Sequence, residues 1–514
     1  MNRPLNGCLT ILSIQEKTEV DKFFPPTLKA HERQSEAVEN IRLAFHEGKR
    51  FFVLEGPTGF GKSAVAKAAL NICQNGFITS PINTLVNQYA QDEHLELTEV
   101  RGQSTYSCRA FNNADCEKAN DLFQDHNAKC KDYVPARDNF WAAQHSVTNV
   151  HFLCYAPPPD AAVFPRGLLV VDEAHNLENI LIKMGRRAVT PKQIRDIGAR
   201  PFDFQIAEKQ LFNRQNRDQA AEWLKYFESA ITYALKDFPD GKAKRDYESL
   251  RQGINLTLNC GDWIAWKEKA NLMITPMSAV RAAKRLFRCA DRVLFMSATI
   301  GNVQLFLQNL GIKEKDAAIY KAPCNFKAEN RKIIYRNLGS MSKKIGQPGL
   351  AGMLEECSRI LRERPEERGL IHCHSRELQQ IVIQHLRREF FDRILTHHAG
   401  NDRDAGVARL RNSRNGVLCA VAMTEGLDLR DDEARFCIFA KVPWPDANDP
   451  YIAERRLRSQ EWYKNTTAMA IVQGSGRVVR NEIDYADTFI FDSSFRMLLP
   501  LFPKWWKEAL QIIT

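Results

Sequence analysis

The chain has 514 residues, of which 44% are hydrophobic and 26% charged, and its formal net charge is +10. This length exceeds a single ordinary core and predicts two to four domains, and the composition argues against a disordered chain. No apolar run approaches the length of a membrane span and no secretory signal is evident, so we expect no membrane partner. The positive charge is compatible with a polyanionic partner but does not require one.

Thirteen cysteines occur without the composition of a disulfide scaffold, which predicts a reducing compartment and therefore a cytoplasmic protein. Five of them lie in apolar contexts, where a cysteine is more often a small core residue than a ligand. The cysteines with this expected core role are Cys73, Cys289, Cys373, Cys419 and Cys437.

The first half of the chain alternates short apolar runs with helical patterns. A buried strand is predicted at 51–55, and the helix after it at 63–71. A second strand and helix are expected at 76–79 and 81–90, and further strands at 168–171 and 292–296. This alternation predicts an α/β fold with a parallel sheet that binds its ligand at the carboxyl ends of the strands.

A second alternating set begins near residue 368 and predicts another sheet domain without a P-loop of its own. Its helix is expected at 377–387, and its strands at 369–373, 417–422, 436–442 and 486–491. Two stretches interrupt the rhythm of the first half, because 100–133 is polar and 177–266 is predicted to be helical. One helix face in the second stretch is expected to pack in a core. It consists of Ala221, Leu224, Phe227, Ala230, Ile231, Ala234 and Leu235.

Residues 56–63 match the P-loop pattern between a predicted strand and a predicted helix. Backbone amides of such a loop and the N-terminus of the next helix bind phosphates. Lys62 is expected to place its charge on the outer phosphates of ATP, and Ser63 to offer its hydroxyl to Mg²⁺. A chance glycine-rich turn is the alternative, and the flanking elements argue against it. The loop consists of Gly56, Pro57, Thr58, Gly59, Phe60, Gly61, Lys62 and Ser63.

A DEAH sequence, residues 172–175, follows the apolar run at 168–171. Asp172 is predicted to hold Mg²⁺ directly or through water, and Glu173 to orient and deprotonate the attacking water. Acidic residues are common at strand ends, so this box is a weak signal alone and a strong one beside a P-loop.

Residues 473–480, with the sequence QGSGRVVR, place a glutamine and two arginines around a tight glycine turn. Arg477 and Arg480 are three residues apart and would share a helix face, where they could act as arginine fingers on ATP. A solvated basic face is the alternative. Ser297 and Thr299, after the strand at 292–296, either couple the Mg²⁺ site to domain movement or simply cap a turn.

The order of these motifs, together with Gln34 and the TEGLDL run at 424–429, resembles superfamily-two helicases. A finer resemblance to the XPD/DinG family of DNA helicases comes from Phe23-Phe24-Pro25 and from the segments at 100–108 and 148–153. The resemblance implies two RecA-like motor domains, with an iron–sulfur-type insertion and a helical arch insertion in the first. It also implies ATP-driven movement on single-stranded DNA in the five-prime to three-prime direction, and unwinding of forked DNA.

The resemblance also assigns roles to individual residues. Gln34 would read the adenine of ATP, whereas Glu425, Gly426 and Asp428 would line the cleft between the motor domains. The residues that would face the γ-phosphate are Gln473, Arg477 and Arg480.

An iron–sulfur cluster is implied by the same resemblance, with Cys108, Cys116 and Cys130 as its ligands. The family uses four cysteines, and this chain has none near 119–120, where the family often has another. His126 is an alternative fourth ligand, because imidazole binds iron or zinc. A zinc site and a vestigial fold without metal stay open as alternatives to the cluster.

We therefore predict an ATP-dependent DNA helicase, with single-stranded and forked DNA and other nucleic-acid-processing proteins as partners. The alternative is a DNA-stimulated ATPase that remodels nucleoprotein complexes without processive unwinding. A P-loop ATPase or kinase unrelated to nucleic acid and a non-enzymatic scaffold are more distant alternatives. The expected domains are motor domain 1 at 1–99, 135–178 and 267–325, the iron–sulfur-type insertion at 100–134, the arch at 179–266 and motor domain 2 at 326–514.

Overall fold

The computed structural model divides the chain into two units. Unit 1 comprises Met1–Glu55, Phe60–Ser297 and Leu307–Ala322, and unit 2 comprises Gly56–Gly59, Ala298–Phe306 and Pro323–Thr514. Within them the structure describes residues 17–57, 59–81, 83–110, 114–122, 129–156, 164–202, 209–239, 241–324, 326–341, 347–397, 402–421, 429, 431–476, 478–479 and 484–513. None of the helices in these ranges is both long and apolar enough to cross a membrane.

Unit 1 alternates helices and strands for most of its length. Its helices are α1 (Lys17–Asp21), α2 (Glu32–His46), α3 (Lys62–Cys73), α4 (Asn83–Gln91), α5 (Cys116–Leu122), α6 (Tyr133–Ala142), α7 (Val150–Tyr155), α8 (Leu177–Gly185), α9 (Pro191–Asp196), α10 (Arg214–Ala234), α11 (Lys242–Leu258) and α12 (Val280–Leu286). Its strands are β1 (Phe51–Glu55), β2 (Gly76–Ser80), β3 (Thr98–Glu99), β4 (Ser107–Cys108), β5 (Ala114–Asp115), β6 (His145–Asn149), β7 (Arg166–Val171), β8 (Arg187–Val189), β9 (Trp263–Glu268), β10 (Asn271–Pro276), β11 (Ala290–Ser297) and β12 (Ala317–Lys321).

A seven-stranded sheet with the order β12-β1-β11-β7-β2-β6-β3 forms the centre of unit 1, and all of its pairs are parallel. The five residues of β1 are all buried, as expected for a parallel strand that helices cover on both faces. Because the strands are parallel, β1, β7 and β11 all end at one edge. The P-loop and the DEAH box follow the ends of β1 and β7, and Ser297 is the last residue of β11.

The stretch at 177–266 is only partly helical, so that prediction was wrong in part. A three-stranded antiparallel sheet, β8-β10-β9, forms between this stretch and the residues after it. Trp263–Glu268 is a strand because it pairs with β10, a partner outside the predicted helical stretch. The predicted helix face on α10 is confirmed at three positions that lie in one apolar core: Leu224, Phe227 and Ile231.

Unit 2 contains a second seven-stranded parallel sheet, with the order β15-β16-β14-β17-β18-β13-β19. Its strands are β13 (Ile333–Arg336), β14 (Gly369–His372), β15 (Ile394–Thr396), β16 (Val417–Ala420), β17 (Phe436–Phe439), β18 (Asp487–Ile490) and β19 (Leu510–Ile513). Its helices are α14 (Gln347–Glu363), α15 (Arg376–Phe390), α16 (Asp402–Asn412), α17 (Pro450–Arg458), α18 (Gln460–Ser475) and α19 (Lys504–Lys507), and α13 (Val303–Asn309) belongs to both units.

Two parallel-sheet α/β units confirm the predicted fold class. Four of the five cysteines expected in apolar cores are buried, and Cys73 is half-buried. The cysteines in the described part of the chain are all free thiols.

Candidate nucleotide and metal sites

The P-loop passes directly into α3, which begins at Lys62. Gly61 has a φ of 78°, in the left-handed region that favours glycine, and a Cβ at this position would overlap the side-chain amide of Gln34. That amide donates from Nε2 to the carbonyl oxygens of Phe60 (3.1 Å) and Gly61 (3.4 Å). The Oε1 of Gln34 accepts from the backbone N–H of His31 at 2.9 Å. Gln34 therefore holds the loop conformation here, and its predicted contact with adenine stays a prediction.

Asp172 follows the end of β7 and is only 6% exposed. Its Oδ2 accepts from the hydroxyl of Tyr89 at 3.0 Å, and its Oδ1 accepts from the backbone N–H of Glu173 at 2.9 Å. The side chain of Ser63 is a second hydrogen-bonding partner of the Tyr89 hydroxyl. The two predicted Mg²⁺ ligands, Ser63 and Asp172, thus share one tyrosine partner.

Burial and the neighbouring charge of Glu173 raise the pKa of Asp172 to about 6, although the positive charge of Lys62 opposes this shift. A buried carboxylate beside a lysine and a hydroxyl is a suitable set of groups for Mg²⁺ with a triphosphate. Tyr89 was not predicted from the sequence, where it is one residue of an ordinary amphipathic helix. It reaches the site because α4 follows β2, which lies next to β7 in the sheet.

Glu173 adopts a left-handed backbone conformation, with a φ of 48° and a ψ of 43°. For a residue other than glycine this conformation costs on the order of 1–3 kcal/mol, and such strain is concentrated at functional sites. His175 Nδ1 lies 3.3 Å from Oε2 of Glu173 and 2.9 Å from Oγ of Ser297, which is fully buried at the end of β11. A continuous polar chain therefore joins Glu173 to the strand that carries the Ser297 motif.

In unit 2, Nε2 of Gln473 donates to Oγ1 of Thr299 at 2.8 Å, and both side chains are buried. Gln473 thus has a hydroxyl partner near the end of α18. The remaining residues predicted for nucleotide binding and catalysis lie outside the described residues, and their roles stay predictions: Thr58, Glu425, Gly426, Asp428, Arg477 and Arg480.

The raised pKa of Asp172 predicts an effect of charge removal on stability. Its pKa exceeds the usual 3.8, so protonation of this carboxyl favours the folded state. That contribution to the free energy of unfolding is fully present below pH 3.8 and is lost as the pH rises through about 6. Ionisation then costs the metal-free folded state up to about 3 kcal/mol. We expect Asp172→Asn to raise the Tm by a few degrees at about pH 8 in a chelator, and to lose this gain near pH 4. Thermal melts at both pH values, together with loss of Mg²⁺–ATP binding, check this prediction, and a lower Tm at pH 8 would contradict it.

Cys108, Cys116 and Cys130 come together in unit 1, with their sulfur atoms within 4.8 Å of one another. The Sγ atoms of Cys116 and Cys130 are 3.9 Å apart, and all three side chains are buried. Three converging buried thiols are suited to a soft metal or an iron–sulfur cluster.

The chain around these cysteines holds them in place. Arg109 donates from its backbone N–H (2.9 Å) and from Nε (2.7 Å) to the carboxylate of Asp132. Among the described residues of this segment, the core consists of the thiols and Ala119 together with the half-buried side chains of Tyr106, Tyr133 and Val134. So small a core gives little stabilisation by itself, and a metal would add to it.

The two closest thiols differ in how readily they ionise. Burial, together with the neighbouring Cys130, raises the pKa of Cys116 to about 12. Burial also opposes ionisation of Cys130, but the backbone N–H groups of Val134, Asp132 and Tyr133 outweigh it and lower its pKa. Hydrogen bonds of this kind favour a thiolate, the form that binds metal.

No fourth His, Cys, Asp or Glu joins the three cysteines among the residues that the structure describes. His126, the alternative fourth ligand, lies outside them. Cys154 is buried on α7 and does not belong to the group. The cysteines present therefore fit a metal centre, and they leave its type open.

Comparisons with known proteins agree with the motifs. Residues 357–509 match the family model of the helicase C-terminal domain, and residues 27–197 match that of the type III restriction enzyme res subunit. A solved structure entitled XPD helicase has a TM-score of 0.62 at 14% identity and covers 95% of this chain and 100% of its own. The Xpd4 structure from S. tokodaii has a TM-score of 0.60 at 13% identity, covering 94% and 100%.

Two curated relatives give partial matches. The regulator of telomere elongation helicase 1 homolog of Caenorhabditis elegans is 20% identical over 43% of this chain, and the match covers 27% of that relative. The ATP-dependent DNA helicase YoaA of Escherichia coli strain K12 is 23% identical over 44% of this chain, and the match covers 37% of that relative. The aligned part is thus well under half the length of either relative.

The two-sheet fold, the P-loop, the DEAH box and the match to the helicase C-terminal domain agree with the predicted resemblance to superfamily-two helicases. The solved XPD structures share the fold of this chain, and the curated relatives agree with the finer resemblance to the XPD/DinG type.

Proposed function

We propose that the protein is an ATP-dependent DNA helicase that moves along single-stranded DNA in the five-prime to three-prime direction and separates a forked duplex. The observation that carries the ATP part of the proposal is the arrangement in which Ser63 and Asp172 share the Tyr89 hydroxyl, beside Lys62. The DNA part rests on the XPD/DinG type of the chain, whose relatives include a DNA helicase by name.

In this proposal each motif residue has its own part in ATP hydrolysis. Backbone N–H groups at the start of α3 and the ammonium of Lys62 bind the phosphates. Ser63 and Asp172 would hold Mg²⁺, which neutralises phosphate charge when it is bound. Glu173 orients a water molecule and accepts its proton, and His175 holds the Glu173 carboxylate towards Ser297. Gln473, Arg477 and Arg480 are proposed to stabilise the charge that develops on the γ-phosphate.

We also propose that Cys108, Cys116 and Cys130 hold an iron–sulfur cluster. The support is their convergence in a segment with little other core. The same segment supports the second candidate, a DNA-stimulated ATPase that remodels nucleoprotein complexes without unwinding, because only three ligands converge among the described residues. A forked-duplex unwinding assay separates the two candidates, since the second hydrolyses ATP on DNA without strand separation.

Single-stranded DNA should stimulate ATP turnover several-fold, and the DNA concentration for half-maximal stimulation should rise steeply with salt. The reason is that phosphate contacts release counterions, so that binding weakens with a slope of about −0.7 per contact on a logarithmic salt scale. Turnover is measured with and without oligothymidylate over a salt series, with a nonionic osmolyte series as the control. ATP turnover that does not rise when oligothymidylate is added would contradict the helicase proposal and favour an ATPase unrelated to nucleic acid.

A further inference from the structure

A cavity of about 580 Å³ lies in unit 1 between α11 and the α12 region. Its size is in the range of ligand pockets, but its lining is cationic rather than apolar. No carboxylate lines it among the described residues. Its cationic lining residues are Arg251 from α11, and Arg281, Lys284, Arg285 and Arg288 from α12 and the 3₁₀ turn after it.

The four cations at positions 281–288 form a row on one face, because they are spaced by three, one and three residues. At 1.5 Å per residue the row is about 10 Å long. All four side chains are exposed, and none has an ion pair within the described part of the chain. Nη1 of Arg281 donates to the carbonyl oxygen of Asn259 at 3.2 Å, so this cation is positioned by backbone alone.

Two further features distinguish this cavity from an ordinary solvated basic face. Arg251 faces the row from α11, and its Nε is buried without a hydrogen-bond partner in the described residues. A buried guanidinium N–H without an acceptor is costly, and an anion in the cavity could supply that acceptor. The guanidinium of Arg285 lies 5.6 Å from the ring centre of Tyr155, which adds an aromatic surface near the row.

The lining of the cavity, within the described residues, includes none of the residues predicted to bind ATP. The 3₁₀ turn Phe287–Cys289 leads straight into Ala290, the first residue of β11. β11 is parallel to β1 and β7, whose carboxyl ends carry the P-loop and Asp172. The Arg288 end of the basic row therefore lies beside the amino-terminal end of β11, whereas the nucleotide residues follow the carboxyl ends of its neighbours. Phosphates bound in this cavity are not those of the ATP that is hydrolysed.

We propose that this cavity is a second binding site for single-stranded DNA, in which successive backbone phosphates lie along the basic row. A strand carries one phosphate per about 3.4 Å of duplex axis, so a 10 Å row spans about three phosphates. Arginine binds phosphate with two parallel hydrogen bonds, and basic grooves with nearby aromatic rings are typical of single-strand binding. This inference rests on the proposed DNA helicase function and adds to it a site outside the ATP-driven motor edge.

The test is a triple variant, R281A/K284A/R288A, assayed for binding to fluorescein-labelled oligothymidylate by anisotropy over roughly 50 to 200 mM salt. Loss of three phosphate contacts should reduce the slope of the logarithm of the binding constant against the logarithm of the salt concentration by about 2. It should also weaken binding about tenfold or more at low salt. The matched control is K192A/R214A/K225A, which removes the same charge from exposed positions elsewhere in unit 1 and should change neither quantity. ATP turnover without DNA should be the same in all three proteins.

The outcomes separate this inference from the proposed function. Wild-type protein that does not bind oligothymidylate would overturn both. A triple variant that folds normally and keeps the wild-type slope would overturn the second site alone. Inorganic tripolyphosphate, at equal phosphate concentration, should not displace the oligonucleotide. Displacement that depends on Arg281, Lys284 and Arg288 would show a site for small anions and would also overturn the DNA assignment.

Discussion

Glu173→Gln should reduce ATP turnover by about 10²–10⁴-fold and leave ATP binding intact, because its carboxylate is expected to accept the proton of the attacking water. Glutamine keeps the size of the side chain and cannot take up that proton. Lys62→Ala should also abolish turnover, but with loss of ATP binding, since its ammonium is expected to contact the outer phosphates at the start of α3. The two variants therefore fail at different steps.

Equilibrium binding of a fluorescent ATP analogue and single-turnover hydrolysis are measured for both variants. Glu93→Gln and Lys313→Ala are matched controls, since both residues are exposed and lie away from the P-loop and the DEAH box in the sequence. Equal loss of binding in Glu173→Gln and Lys62→Ala would show that the two roles have been assigned wrongly. Tight ATP binding without turnover in Glu173→Gln alone would support them.

Replacing any one of Cys108, Cys116 and Cys130 by serine should remove the iron, the acid-labile sulfide and the brown absorbance of anaerobically purified protein. The segment around them has little other core, so it should become sensitive to protease. ATP binding should survive, because the P-loop belongs to a separate apolar core. Unwinding of a forked duplex should fail, as the resemblance to the XPD/DinG family implies.

Cys260→Ser is the matched control, because Cys260 is half-buried outside the group and a serine can keep its hydrogen bond to the carbonyl oxygen of Asp262. Metal and sulfide are quantified beside limited proteolysis. Zinc without sulfide in the wild-type protein would contradict the cluster and favour a zinc site. Absence of any metal, with normal unwinding by a variant in which all three cysteines are replaced by serine, would instead show a vestigial segment held by packing alone.

Much of the fold was predictable because the strands of a parallel sheet are local apolar runs. The expected strand at 51–55 coincides with β1, and those at 168–171 and 292–296 lie within β7 and β11. The strands β8, β9 and β10 were not predicted. Each is short, and they become strands only by pairing with segments distant in sequence.

The sequence by itself determined the class of chemistry, because a P-loop, a DEAH box and a glycine turn with arginines are each defined by adjacent residues. It also determined which thiols to consider as ligands.

 The 21 residues between Cys108 and Cys130 give no sign of how near the two sulfur atoms lie, and only the folded segment brings them together with Cys116.

Tertiary structure alone decided which distant side chains meet. Tyr89 reaches Asp172, 83 positions away, because β2 lies beside β7. His175 reaches Ser297, 122 positions away, because β11 lies beside β7. The physical reason is that the order of strands in a parallel sheet differs from their order in the chain, so neighbours at its edge are set by packing of the whole sheet rather than by any local pattern.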